Sequence, residues 1–251
     1  MPVVAVSVLS HTGVVRSHNE DSAAIGPWTL CATATDSPQT FYFPLGDSAL
    51  TVAVADGLGG HPGGDLASSL VAGQLAATGT ELTDEQSVTE ALRACHEALH
   101  DAADADPGLA GMSTTVAGLA LTGDAVLVFN VGDSRVYQLT DSGPRLLSTD
   151  DSPPLAPGQR TTHLVTSVLG GATPRDALRP HVTRLPVRAG ARYLLCTDGL
   201  SDPVPPEEWA AVTADGDAEE DDQHAVVELW RAAIRAGGPD NITVALVRID
   251  D

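Results

Sequence analysis

The stretch LTVAVADGLGG, residues 50–60, carries an apolar, β-branched run from Leu50 to Ala55 into one aspartate and then into glycines. Such a pattern predicts a buried strand that delivers a single carboxylate, Asp56, to a tight turn with accessible backbone. The device recurs along the chain. LLCTDG at 194–199 brings Asp198 to the end of a second apolar run, and FNVGDSR at 129–135 places Asp133 at the end of a third. Asp240 and Asn241 sit between a helix-stop signal and the final apolar run. Carboxylates at the ends of buried strands are costly unless something offsets their desolvation. Several of them converging on one place point to a cation.

Outward from Asp56, Val4, Val6 and Val8 alternate like a half-buried strand over about 3–10, and a polar segment at 10–22 leads into a short strand near 23–26. Residues 28–47 are rich in Pro, Ser and Thr around one aromatic island, Phe41 to Phe43, and read as an inserted loop or hairpin whose aromatics pack onto a sheet. Two helices are predicted next. The first covers about 65–77 with Leu66, Leu70 and Val71 as its core stripe and Asp65 as its cap. The second opens with Thr83-Asp84-Glu85-Gln86, which has the form of a capping box, and buries Val88, Leu92, Cys95 and Leu99. His96 and His100, four apart on this helix, are read as surface histidines.

Two strand-like runs joined at Thr122-Gly123-Asp124 lie within 112–131, and a third follows at 135–139. Loop residues fill 150–160, strands are expected at 182–185 and 193–197, and a short helix at 209–212. The acids at 215–222 read as a solvated segment ahead of a helix that presents Val227, Trp230 and Ile234 and stops at Gly237-Gly238-Pro239. Strands in hairpin-like groups with paired helices favour antiparallel α+β layering.

The chain has 251 residues, enough for a substantial core, and no linker-like stretch divides it. Thirteen basic residues, all Arg, stand against 34 acids, for a net charge of −21. That balance argues against nucleic acid and against an anionic membrane surface as partners. Cys31, Cys95 and Cys196 lie far apart and read as free thiols in a reducing compartment. The N-terminus begins as a strand without a signal-peptide pattern, and no run reaches the ~18 apolar residues of a membrane span. A soluble, cytoplasmic protein is expected.

The polar residues at strand ends are Glu20, Asp21, Asp56, Asp133, Asp198, Asp202 and Asp240. All are oxygen donors without His or Cys at ligand spacing, so the implied ion is hard, Mg²⁺ or Mn²⁺ rather than Zn²⁺. A two-metal carboxylate site suits hydrolysis of a phosphate ester. Arg16 would match the phosphate bidentately, or else pair structurally with Glu20 or Asp21.

In order and spacing, RSHNED at 16–21, VADGLGGHPGG at 54–64, MSTTVAG at 112–118, VGDSR at 131–135, LLCTDGLSD at 194–202 and GPDNITV at 238–244 resemble the motifs of the metal-dependent protein phosphatases of bacterial type, the protein phosphatase 2C-like or PPM family. The resemblance spans nearly the whole chain. It implies one phosphatase domain over 1–251, an α+β fold in which a β-sandwich of two antiparallel sheets is flanked by helix pairs. It also implies serine/threonine phosphatase activity with two or three Mn²⁺ or Mg²⁺ ions. Carried over by motif, Asp56 bridges two metals and Gly57 binds one through its carbonyl; Asp198 and Asp240 hold the other. Asp133, with Asp198 and Asp202, makes a third, weaker site. Arg16, Glu20 and Asp21 are the catalytic set, Arg16 gripping the substrate phosphate and the two acids anchoring metal-bound waters. The implied partners are phosphorylated proteins, substrates of a Ser/Thr kinase, met by a monomer.

Three departures mark this chain. Leu58 stands two residues after Asp56, where eukaryotic members carry a histidine, with His61 nearby. The flap segment before TSVLGG, residues 166–171, is shortened, with Ser167 at a commonly basic position. Residues 28–47 are longer than usual. On the same fold, a phosphoprotein-binding module and a hydrolase of small phosphate esters are the alternatives.

Overall fold

The structure is a computed structural model that describes residues 2–58, 63–154, 162, 164–213 and 219–250. In β1 (Val3–His11), Val4, Val6 and Val8 enter an apolar layer shared with Val52, Val54 and Leu119, while Leu9, of the other parity, enters a second layer beneath a helix. The expectation of a half-buried strand is therefore corrected. Every residue from Val4 to Ser10 is buried, because a helix rather than water covers the second face.

The strands that follow are β2 (Asp21–Ile25), β3 (Trp28–Cys31), β4 (Gln39–Pro44), β5 (Leu50–Asp56), β6 (Ser113–Thr114), β7 (Val116–Leu121) and β8 (Ala125–Val131). Then come β9 (Arg135–Thr140), β10 (Gly143–Leu146), β11 (Leu169–Gly170), β12 (His181–Pro186), β13 (Arg192–Cys196) and β14 (Ile242–Asp250). Among the described residues they form two six-stranded sheets, in the orders β10-β9-β13-β14-β1-β4 and β12-β8-β7-β5-β2-β3, and β11 pairs with β6 apart from both. The pairings within both sheets are antiparallel.

Helices α1 (Gly64–Thr78) and α2 (Glu85–Ala105) cover the second sheet; α3 (Asp198–Ser201) and α5 (Glu219–Arg235), with the short α4 (Ala210–Thr213) against α5, cover the first. Three apolar layers result, one between the sheets and one under each helical face. This is the expected α+β sandwich flanked by helices. Among the described residues no helix is long and apolar enough to cross a membrane.

Several local expectations are corrected. Residues 28–47 are not a simple insertion, since β3 and β4 extend different sheets, and Phe41 and Phe43 pack against the inter-sheet core. Leu66 is 43% exposed; Val71 is buried as expected, and Ala67, Ala72 and Leu75 complete the buried face of α1. Its N-cap is Gly63 in the left-handed region at φ 85°, without a side-chain cap, so Asp65 does not fill that role. The capping box of α2 is formed by Asp84 with Ser87, whose side chain is short enough to return to the Asp84 N–H. His96 is fully buried. On α5 the buried face is Ala225, Val226, Leu229 and Ala233, one step round from the predicted stripe. Asp222 is 2% exposed between Arg192 and Arg248, not solvated. His61, Asp215, Asp217 and residues 155–161 of the flap lie outside the described residues.

Candidate functional site

Register places the predicted carboxylates at one end of the sandwich. Asp21 and Asp56 face each other as partners at the ends of β2 and β5. In the other sheet, His11 pairs with Ile242, and Cys196 pairs with both Arg135 and Val244, so Asp133, Asp198 and Asp240 leave the same end. Hydrogen bonds then tie the two sheets together there.

Asp21 is wholly buried. Its Oδ2 accepts from Thr197 Oγ1 at 2.8 Å and Thr243 Oγ1 at 2.7 Å, both on the opposite sheet's chain ends. Thr243 Oγ1 lies 2.8 Å from Ser10 Oγ, which accepts from Asn19 Nδ2 at 2.8 Å. Because the Thr243 proton goes to Asp21, Ser10 donates to Thr243 and the chain runs one way from Asn19 to the carboxylate. Asp21 Oδ1 is buried with no hydrogen-bond partner among the described residues. An orphaned carboxylate oxygen is expensive in the absence of a cation or proton. Burial pushes the Asp21 carboxyl up to about 7, against the two threonine hydroxyls, and the charges of Asp198 and Asp240 add to the rise.

Asp56 is clamped through its backbone: its carbonyl accepts from Thr114 Oγ1 at 2.7 Å and the Thr115 N–H at 2.9 Å, and its N–H donates to Thr115 Oγ1 at 3.2 Å. Burial raises its carboxyl well above the usual range, and Asp198, Asp21, Asp133 and Asp240 raise it further. The turn beyond admits only glycine, since a Cβ on Gly57 would stand 2.1 Å from the Gly64 carbonyl oxygen and 2.6 Å from that of Glu20. The Gly57 N–H donates to that Glu20 carbonyl at 3.2 Å.

Asp133 is 8% exposed, and burial followed by the Asp198 and Asp150 charges lifts its carboxyl to about 7. The preceding Gly132 is held by Asp151, whose Oδ2 accepts the Gly132 N–H at 2.9 Å and whose own N–H donates to the Gly132 carbonyl at 2.9 Å. Asp198 opens α3, and Asp202 follows that turn, donating its N–H to the Asp198 carbonyl at 2.8 Å.

Arg16 pairs with neither Glu20 nor Asp21 but donates from Nη2 to Asp240 Oδ2 at 2.7 Å, on the exposed rim. Asn241 secures the loop that carries it. Its Oδ1 accepts from the Glu20 N–H at 2.8 Å, and its Nδ2 donates to the carbonyls of Thr12 and His18, each at 2.9 Å.

Reasoning from sequence missed the supporting residues Thr197, Thr243, Ser10 and Asp151, and it singled out Asn241 only for its place beside Asp240. Their signal is weak in a single chain: Ser10 and Thr243 are small polar residues inside apolar strands, costly there unless hydrogen-bonded, and Thr197, Asn241 and Asp151 lie in connecting segments. Among the described residues the carboxylates do not gather three at a time around a single point; strand register brings them to the same end, and their mutual repulsion opposes a closer approach. An all-oxygen set with a buried orphan oxygen and carboxyls that raise one another fits hard divalent cations.

The family described as Protein phosphatase 2C matches residues 35–231. The chain belongs to that family. It is 31% identical, over 99% of its length, to "Serine/threonine protein phosphatase PstP" of Mycobacterium tuberculosis, of which it spans 46%, about half. It is 28% identical to "Serine/threonine phosphatase stp" of Listeria monocytogenes, covering 95% of this chain and 93% of that one. The solved catalytic domain of PstP "in complex with 2 Manganese ions" superposes with a TM-score of 0.76 at 30% identity, covering all of both chains. The protein phosphatase 2C fold thus accounts for both sheets and their helical covers.

Proposed function

We propose that residues 1–251 act as one catalytic unit, a metal-dependent phosphatase that removes phosphate from serine or threonine of proteins. The observation that carries this is the meeting of Asp21, Asp56, Asp133, Asp198 and Asp240 at one end of the sandwich, with Asp21 buried and one of its oxygens unpartnered among the described residues. The names of the relatives and the two manganese ions of the PstP complex support it. Asp56, with the Gly57 carbonyl, is assigned to the pair of Mn²⁺ or Mg²⁺ ions, Asp198 and Asp240 to one of them, and Asp133, Asp198 and Asp202 to a weaker third. Bound there, the ions supply an acidified attacking water and compensation for phosphoryl charge.

The chain's own residues do the rest. Asp21, locked by Thr197 and Thr243, and Glu20, locked through its backbone by Asn241, fix acceptors for the waters around the ions. Arg16 is 40% exposed and commits one Nη to Asp240, which leaves guanidinium donors for the phosphoryl oxygens. It therefore orients a ligand carboxylate and the substrate at once. Proteins phosphorylated by a Ser/Thr kinase are the proposed partners, and a monomer in the cytoplasm is the proposed form. Free Cys31, Cys95 and Cys196 support a reducing compartment.

The test is a panel of phosphoserine and phosphothreonine peptides beside a small aryl phosphate. Turnover is expected with Mn²⁺ or Mg²⁺, none after chelation, and recovery on adding metal, with higher kcat/KM on peptides. Full turnover in a metal-free sample would sink the proposal, and equal efficiency on the aryl ester would favour a small-ester hydrolase.

A further inference from the structure

At the opposite end of the sandwich from Asp56, an open cavity of about 690 Å³ is lined by Gln138, Thr140, Ser142, Arg145, Arg188 and Tyr193 among others. Strand β9 leaves the carboxylate end at Arg135 and arrives here at Thr140, a path of roughly 17–20 Å at the rise of a strand. The wall at Pro186 pairs with Ala125, the end of β8 remote from Asp133.

Cations are scarce in a chain of net charge −21 whose thirteen basic residues are all arginine. Eight of these arginines pair with carboxylates among the described residues. Arg145 and Arg188 have no carboxylate within ion-pair distance there, and both line this one cavity. Arg145 donates from Nη2 to Gln138 Oε1 at 2.6 Å, a neutral partner that orients the guanidinium without cancelling its charge. Both arginines act on the same buried phenol, favouring the ionised form of Tyr193 against the rise that burial causes. Asp124 pairs with Arg184 and Asp250 with Arg248, and neither Asp141 nor Glu207 and Glu208, whose turn packs against β10, is part of the lining. Two forked donors beside hydroxyls match the oxygens of a phosphomonoester dianion.

We infer that this cavity is a second phosphoryl-binding site, remote from the carboxylate centre, which takes a phosphate group either free or carried on a phosphorylated substrate. It goes beyond the proposed hydrolysis, and its binding test does not depend on turnover.

In the Arg16→Ala, Asp56→Asn protein with chelator present, calorimetric titration of inorganic phosphate at low ionic strength should show one saturable site. Adding Arg145→Gln and Arg188→Gln should weaken it at least tenfold, with melting checked for each variant. If the glutamine pair does not fold, Arg145→Lys with Arg188→Lys keeps the charge, loses the fork and should weaken binding severalfold. No saturation up to 10 mM phosphate, or unchanged affinity in the folded variant, would overturn the inference. The source is resolved with the Mn²⁺-loaded wild type on peptides bearing one or two phosphothreonines about ten residues apart. A several-fold lower KM for the doubly phosphorylated peptide, abolished by the two arginine changes while kcat/KM on the single one stays constant, assigns a substrate phosphate. Equal KM values beside calorimetric binding assign the free ion. A protein that binds phosphate here yet hydrolyses no phosphopeptide would contradict the proposed function and leave this site standing.

Discussion

Asp21 concentrates the cost of the site in one side chain: buried, opposite Asp56 in register, and with one oxygen held while the other has no partner among the described residues. Without metal, the folded chain keeps the Asp21 and Asp133 protons up to about pH 7, whereas an unfolded aspartate releases its proton near 3.8. A carboxyl raised in this way binds more protons folded than unfolded between those values. Its stabilising contribution is present at low pH and is lost as pH rises toward 7. In chelator, the wild type should therefore lose more melting temperature between pH 5.5 and 8 than Asp21→Asn does, and saturating Mn²⁺ should restore most of that loss. Equal slopes for the two proteins in thermal scans would count against the buried-carboxylate account.

Kinetics at this scale separate two roles. Asp56→Asn removes the carboxylate assigned to both ions and should lower kcat by orders of magnitude. Arg16→Ala removes a charge-assisted contact worth roughly 1.5–3 kcal/mol, so kcat/KM should fall about 10- to 150-fold, weighted toward KM. Some loss should also reach kcat, because Arg16 holds Asp240. Lysine should rescue only part, lacking the fork. Steady-state kinetics on one phosphopeptide at saturating Mn²⁺ decide it; an unchanged kcat/KM for Arg16→Ala would make that arginine purely structural.

Among the elements, α2 shows how a polar residue can join two pieces of chain. His96 Nδ1 accepts the Gly170 N–H at 2.9 Å and Nε2 donates to the Pro174 carbonyl at 3.3 Å, which fixes the neutral tautomer. Burial is the main reason its pKa is lowered; His100 and Arg175 push the same way, while the Pro174 carbonyl and Glu97 oppose. A base that is harder to protonate when folded contributes stability at neutral pH that is lost as pH falls below about 6.5. His96→Gln, which does not titrate, should lose less stability than wild type between pH 7 and 5, measured by urea melts. His96→Ala should cost about 2–4 kcal/mol by leaving the Gly170 N–H unpaired over a void. The periodicity around His96 marked a helix but not its second neighbour, because the partners at Gly170 and Pro174 lie more than seventy residues away. The edge strands were hidden for a related reason. β3 and β4 are half-exposed and lack clean alternation, so only pairing with β2 and β1 defines them.

For the whole molecule, a net charge of −21 is a long-range field. It should slow encounter with acidic phosphopeptides and favour basic flanks, and the preference should fade as salt shortens the screening length to about 8–10 Å near physiological strength. Comparing kcat/KM for basic- and acidic-flanked phosphothreonine peptides at 20 and 300 mM NaCl tests this, and equal values at low salt would remove the effect.

Runs such as LTVAVAD and YLLCTDG determined by themselves where strands end and which carboxylates stand there, because hydrophobic alternation and the Asp-Gly turn are local physics. Tertiary structure alone decided that Asp21 lies beside Thr197 and Thr243, that Arg16 pairs with Asp240, that Asp222 is buried between two arginines, and that Arg145 and Arg188 share a cavity. Each of these depends on which strands become neighbours, and on which faces a helix covers. A side chain's cost or use depends on partners that the chain brings up from dozens to hundreds of residues away.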